Sequence, residues 1–240
     1  MGRKVESWEM CQVVKYRIEG FGEAKSIVEK IKGLNINSIE NQNSFFNVPI
    51  TELQMLFVAF DYQDKKAFKE ALDYMCDKST PDNRVIAVVL NNDKNPSKEL
   101  ENYSDLFFIS NRGMKYAEDD ILNVYVGVMS VVNTSSLINI DFHDFCTVTQ
   151  FKHQLIVGMG EAEGAYRAKK AAEIAVAKLG VDNINDVLVS ISADTSINLV
   201  EMDRSIDVVR DKFGGNVNVL FGTTIDTNLK CYRVTLLASV

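Results

Sequence analysis

Residues 137–148 read L-I-N-I-D-F-H-D-F-C-T-V and set Asn139, Asp141 and Asp144 on one short connection behind a long stretch of helical periodicity. Side chains of this kind have two uses in such a place. One is structural, with Asn139 turning the chain and Asp144 capping a helix that starts at Phe145. The other is functional, with the carboxylates presented from a loop to a site that this stretch alone does not define. Taken alone, the connection favours the structural use; the segments on either side of it decide.

Before it, residues 115–132 carry Ile121, Val124, Tyr125, Val128, Val131 and Val132 at helical spacing with no proline among them. Further back, a β-branched run at 13–18 leads through Glu19, Gly20, Phe21 and Gly22 into a helical pattern with Ala24, Ile27, Val28 and Ile31 on one face. An Asn-rich passage at 35–47 reads as loop. Apolar runs at 53–60, 85–90 and 106–109, with a helical pattern at 64–75 between the first two, are what parallel strands covered on both faces look like. Strands alternating with helices predict a doubly wound sheet. After the connection the order is strand 155–159, alanine-rich helix 165–179, strand 187–193, a helix capped by Asn198 and stopped by Gly214 and Gly215, and closing strands at 217–222 and 232–238. The stripe from Met202 to Phe213 reads as core.

The 240 residues are 46% hydrophobic and 25% charged, enough for one large core or two modest ones. A net charge of −7 without a Lys/Arg-dense stretch argues against a nucleic-acid partner. The N-terminus lacks the apolar run of a signal peptide and no segment is long enough to span a bilayer, so the expected setting is cytoplasmic, without direct membrane insertion. Cys11, Cys76, Cys146 and Cys231 show no paired spacing and have two histidines for company, which supports neither a metal site nor a disulfide framework.

Several segments together resemble the FtsZ division proteins of the tubulin superfamily. The N-I-D-F-H-D connection looks like that family's synergy loop, whose carboxylates act in trans, reaching the nucleotide of the next subunit in a filament. Gly158-Met-Gly-Glu-Ala-Glu-Gly164 with Arg167 and Ala168 resembles the family's G-x-G-x-A-x-G-x-x-R-A run. N-V-N-V-L-F-G-T-T at 216–224 and R-V-T-L-L-A at 233–238 resemble its last hairpin. The match is continuous from residue 137 onward, whereas the first half agrees only in the order of its elements. The resemblance implies an α/β fold with a Rossmann-like N-terminal domain of mostly parallel sheet, a long central helix and a smaller α+β C-terminal domain. The domains would divide at 1–138 and 139–240.

The departures lie in the nucleotide half. The family's second phosphate loop, G-G-G-T-G-[ST]-G, presents backbone N–H groups that no Cβ obstructs. Here Asp61, Tyr62, Gln63, Asp64 and Lys65 stand in its place. Gly20 and Gly22 remain in the first loop, bracketed by Glu19 and Glu23. A carboxylate roughly 4 Å from a phosphate charge costs about 4 kcal/mol at an effective dielectric of about 20. Where the family stacks a ring on guanine and reads it from the long helix, this chain offers Met114, Tyr116, Glu118 and Asp119, of which Tyr116 and Asp119 could imitate the pair. The cofactor-binding candidates are therefore Gly20, Gly22, Tyr116 and Asp119.

His143 reads as a solvated histidine, and Glu161 and Glu163 as loop charges. The residues stop at Val240, past the last strand, so the family's linker and membrane-tether peptide are not expected. The leading expectation is an FtsZ-like division or cytoskeletal protein without its own GTP site, capping or modulating a filament through Asn139, Asp141 and Asp144. It would not be an enzyme by itself, and its partner would be an FtsZ-type protein or itself, through a longitudinal contact. One alternative is a self-polymerising GTPase that holds GTP or GDP; another is a scaffold that needs no nucleotide.

Overall fold

The computed structural model of the chain describes residues 14–33, 54–92, 97–132, 138, 140, 142–149, 154–184 and 186–240. Strands β1 (Tyr16–Phe21), β2 (Met55–Asp61), β3 (Arg84–Leu90) and β4 (Leu106–Ile109) form a parallel sheet in that order. Every residue of β2 is buried. Met55, Phe57 and Ala59 enter one core while Leu56, Val58 and Phe60 enter another on the opposite face. An unbroken apolar run is the sequence form of such a strand.

Helix α1 (Ala24–Lys32) buries Ala24, Val28 and Ile31 in the first core, together with α4 (Ala117–Val132). Helix α2 (Lys65–Lys78) and the short α3 (Ser97–Leu100) bury Ala71, Met75 and Leu100 in the second. The chain thus leaves β1 toward one face of the sheet and β2 toward the other. A doubly wound sheet forms its ligand crevice at such a place, outside the carboxyl ends of the two strands.

Helix α4 lies between this sheet and a second one. On one side the Tyr125 hydroxyl donates to the Tyr16 hydroxyl of β1 at 2.6 Å. On the other, a Cβ at Gly127 would stand 2.5 Å from Cγ1 of Val157. The second sheet holds β5 (Leu155–Ala162), β6 (Asp186–Ala193), β7 (Asn218–Ile225) and β8 (Tyr232–Ser239) in the order β5-β8-β6-β7. Leu155, Leu188 and Leu237 turn toward α4 and α5 (Phe142–Thr149), and their neighbours Ile156, Val187 and Leu236 turn toward α6 (Arg167–Leu179) and α7 (Leu199–Phe213). The α/β class with a parallel sheet, a long central helix and a second α+β layer is as expected.

Gly158 and Gly160 explain how α6 sits on β5. A Cβ on Gly158 would run into the Ala175 carbonyl oxygen, and one on Gly160 into that of Ala171. Two glycines two residues apart, on one strand face, meet two helix carbonyls one turn apart, so the helix backbone lies directly on the strand.

Several expectations need correction. β1 extends through Glu19, Gly20 and Phe21, because all three pair with Val58, Ala59 and Phe60. β7 and β8 form no hairpin: β6 lies between them, antiparallel to β8 and parallel to β7. The strongly apolar β8 takes an interior place in the sheet, where both its edges are paired. Helix α5 begins at Phe142, so His143 and Asp144 stand in its first turn, and Asp144 does not cap a helix starting at Phe145. Glu161 is a strand residue paired with Arg233, Nε to Oε1 2.6 Å. The Asn-rich passage at 35–47 lies outside the described residues.

Candidate functional site

At the carboxyl end of β1, Gly22 turns the chain with φ +60°, a conformation side chains rarely adopt. Gly20 has a packing reason: a Cβ there would stand 2.5 Å from the Ala24 carbonyl oxygen. At the carboxyl end of β2, Asp61 Oδ1 accepts from the Gln63 N–H at 2.8 Å and from Asn91 Nδ2 at 3.2 Å. Asp64 then caps α2, its Oδ1 accepting from the backbone N–H groups of Lys66 at 3.0 Å and Ala67 at 3.1 Å. Its other oxygen, Oδ2, would be 3.0 Å from a Cβ on Gly22, and the Ala67 Cβ 2.8 Å from it. The first loop therefore packs against the start of α2 with the exposed Asp64 carboxylate between them.

Around this point stand further internal pairs. Glu19 meets Lys32 at 3.3 Å, and the Tyr62 hydroxyl donates to Glu99 at 3.1 Å with the Lys65 ammonium 4.4 Å over its ring. Burial, then the Glu99 carboxylate, push the Tyr62 phenol above its ordinary pKa.

Tyr116 and Asp119 lie at the start of α4, both exposed. The Tyr116 ring carries Lys115 Nζ 4.7 Å and Arg112 Cζ 5.0 Å from its centre. Glu118, rather than Asp119, reaches α1, through Lys30 at 2.6 Å. The buried carboxylate here is Asp120, held by Ser110 and Arg112. Sequence reasoning missed it; its helical phase with Ile121 and Val124, on the inward face, was the available signal.

Asp144 lies elsewhere. Asn139 and Asp141 are outside the described residues. Asp144 is half-buried in the first turn of α5, where a carboxylate complements the helix dipole. Two residues on, the Cys146 Sγ accepts from Arg84 Nε at 3.5 Å, and Arg84 also meets Asp105 at 3.1 Å. Arg84 opens β3 and Asp105 precedes β4, so α5 stands at the amino end of the parallel sheet. The Cys146 contact, then Asp105, raise the Arg84 pKa further above its ordinary value. Ile138 bridges Thr223 of β7, and a Cβ on Gly222 would stand 2.8 Å from the Ile138 carbonyl oxygen. Strand β3 alone separates the two ends of the sheet by roughly 20 Å. Asp144 and the β1/β2 crevice are therefore at opposite ends of one subunit and cannot meet within it.

The second sheet is tied by Arg167, whose Nε and Nη2 donate to Glu201 Oε1 and Oε2 at 2.8 and 3.1 Å. Nη2 also reaches Ser196 at 2.9 Å, and Asp194 lies 3.6 Å from Nη1. Bonds from Ser196, and then Arg167, hold the Asp194 carboxyl below its usual pKa. Burial pushes Tyr232, beneath Arg167, up to about 12. Among the described residues no group of three or more His, Cys, Asp or Glu side chains is arranged to hold a metal, and no helix is long and apolar enough to cross a membrane.

Residues 154–239 match the model of the FtsZ family, C-terminal domain. The chain is FtsZ-like. It is 32% identical over 163 residues to a cell division protein FtsZ of Wolbachia pipientis, an alignment that takes in 59% of this chain and 52% of the relative. Against a cell division protein FtsZ of Magnetospirillum gryphiswaldense it is 33% identical over 120 residues, covering 48% of this chain and 21% of that one. The chain spans about half the length of the first of these curated relatives and about a fifth of the second. Among solved structures, an empty FtsZ dimer of M. jannaschii overlays with a TM-score of 0.64 at 20% identity, over 80% of this chain and 64% of that one. GDP-form protofilaments of TubZ from Bacillus thuringiensis serovar israelensis give 0.63 at 9% identity, over 94% of this chain and 85% of that one. The tubulin/FtsZ fold thus extends beyond the segment of this FtsZ-like chain that the family model matches.

Proposed function

We propose that this FtsZ-like chain is a cytoplasmic, division-associated cytoskeletal subunit that holds no GTP of its own and docks its acidic connection onto the nucleotide face of an FtsZ-type partner. The observation that carries this reading is the placement of Asp144 at the amino end of the parallel sheet, opposite a crevice whose described residues do not fit a triphosphate. Asp64 already occupies N-terminal amides of α2 with one carboxylate oxygen and turns the other toward the Gly22 turn. An arrangement with the acid at one end and the crevice at the other suits a head-to-tail contact, which propagates into filaments unless one face is defective. A subunit able to complete a neighbour's site while offering none would terminate the filament at that face.

Within the partner's site, Asp141 and Asp144 would orient the attacking water and Asn139 would hold the connection in shape. This is a contribution of positioning and electrostatics in which no covalent bond to this chain forms. The partner is an FtsZ-type protein with an open crevice rather than a second copy, whose crevice carries the same carboxylates.

GTP turnover and polymer length of an FtsZ-type partner, measured with added wild-type protein and with Asp144→Ala, test the reading. Wild type is expected to shorten polymers and change turnover several-fold, and Asp144→Ala to lose the effect on turnover. The helix-dipole contribution of Asp144 at the start of α5 is about 0.3–1 kcal/mol, and circular dichroism of the variant checks that it is folded. No effect of either protein on turnover or length rules the docking out.

A further inference from the structure

The two loops at the β1/β2 switch point are joined by one side chain. Asp64 Oδ1 accepts from two N–H groups in the first turn of α2, those of Lys66 and Ala67, and Oδ2 faces the left-handed turn at Gly22. A phosphate seated between a glycine turn and a helix N-terminus makes the same two contacts: backbone N–H groups of the helix on one side, a Cβ-free approach on the other.

We infer that the Asp64 carboxylate stands in for a nucleotide phosphate at this crevice, and that this single residue excludes phosphate from it. The inference deepens the reading that the chain holds no GTP and locates the cause. A carboxylate is the smaller anion and is covalently tethered, so it satisfies the helix N-terminus without a ligand and at any nucleotide concentration. The Gly22 turn can then close onto Ala67 of α2, which is the approach observed. Because Asp64 is exposed, the seat remains open to an anion from solvent once the carboxylate is gone.

A cap alone and a phosphate surrogate make different predictions. Serine caps a helix about as well as aspartate does, so Asp64→Ser preserves the cap while removing both charge and volume. Thermal unfolding of wild type, Asp64→Ser and Asp64→Ala is followed against inorganic pyrophosphate, GTP and GDP, with sodium chloride matching ionic strength. Wild type is expected to show no shift with any of them. Asp64→Ser is expected to unfold near the wild-type temperature and to gain about 3–6 °C at a tenfold excess of pyrophosphate over its dissociation constant. Asp64→Ala, having lost the cap, is expected to start about 2–4 °C lower and to recover with pyrophosphate.

Stabilisation of wild type by GTP, GDP or pyrophosphate overturns both the inference and the reading that the chain holds no nucleotide. Wild type without a response, together with an Asp64→Ser variant that pyrophosphate does not stabilise, overturns the inference alone: Asp64 is then only a helix cap.

Discussion

Replacing Gly160 with alanine is expected to lower the melting temperature by about 6–12 °C, corresponding to about 3 kcal/mol. The added methyl would fall on the Ala171 carbonyl oxygen, with the Ala175 nitrogen 2.7 Å away and Ile174 Cβ 2.9 Å away. Two of those three atoms are helix backbone, which no rotamer change can move aside. Relief requires α6 to lift from β5, which opens space over the buried Ala171, Ala172 and Ala175 and loses their packing. Scanning calorimetry on Gly160→Ala beside Gly215→Ala checks the cause, since a Cβ at Gly215 meets nothing within 4 Å. Equal, small shifts in the two variants would show that helix and strand are not in backbone contact.

Arg167→Ala is expected to cost about 2 kcal/mol, or about 4–8 °C. The guanidinium joins the start of α6 to Glu201 in the first turn of α7 and to the Ser196 turn, with its side chain 14% exposed and that of Glu201 18% exposed. Removing it leaves Glu201 in a largely desolvated position with Asn198 Nδ2 at 3.2 Å and its own helix N-terminus. Arg167→Lys should recover less than half of the loss, because an ammonium cannot reproduce the forked contact. A double-mutant cycle with Glu201→Gln isolates the pair. A coupling energy near zero would assign the loss to the packing of Arg167 over Tyr232 instead.

These two features show why the second half was easier to read than the first. A glycine pair before an alanine-rich helix and an Arg at a fixed distance are backbone and side-chain requirements of one local contact, so they survive as short patterns. Asn198 was legible as a cap for the same reason, and its Oδ1 accepts from the Glu201 N–H at 3.1 Å. The strand order β5-β8-β6-β7 was not legible, because nearness in sequence suggests a hairpin for β7 and β8 while the sheet places β6 between them. Asp119 and Asp120 are adjacent carboxylates that helical phase alone separates: only the second shares the inward face of Ile121 and Val124, and it is buried. Asp64 is the instructive case: an aspartate ahead of a helix reads as a cap, and only the approach of Gly22 from another strand shows what else its carboxylate touches. Of the acidic connection, Asp144 was placed one turn too early in its role, since the helix had already begun at Phe142.

The proposed function requires a crevice closed to nucleotide in a subunit whose Asp144 stands at the opposite end of the parallel sheet. Calorimetric titration of GTP, with magnesium, into the full chain tests this most directly. The account predicts heats no larger than dilution at protein concentrations of about 0.1 mM, where a dissociation constant of about 1 mM corresponds to only about 4.1 kcal/mol of binding. A saturable isotherm approaching one nucleotide per chain would contradict it, and would make this subunit a nucleotide-binding member of its filament rather than one that serves a neighbour's site.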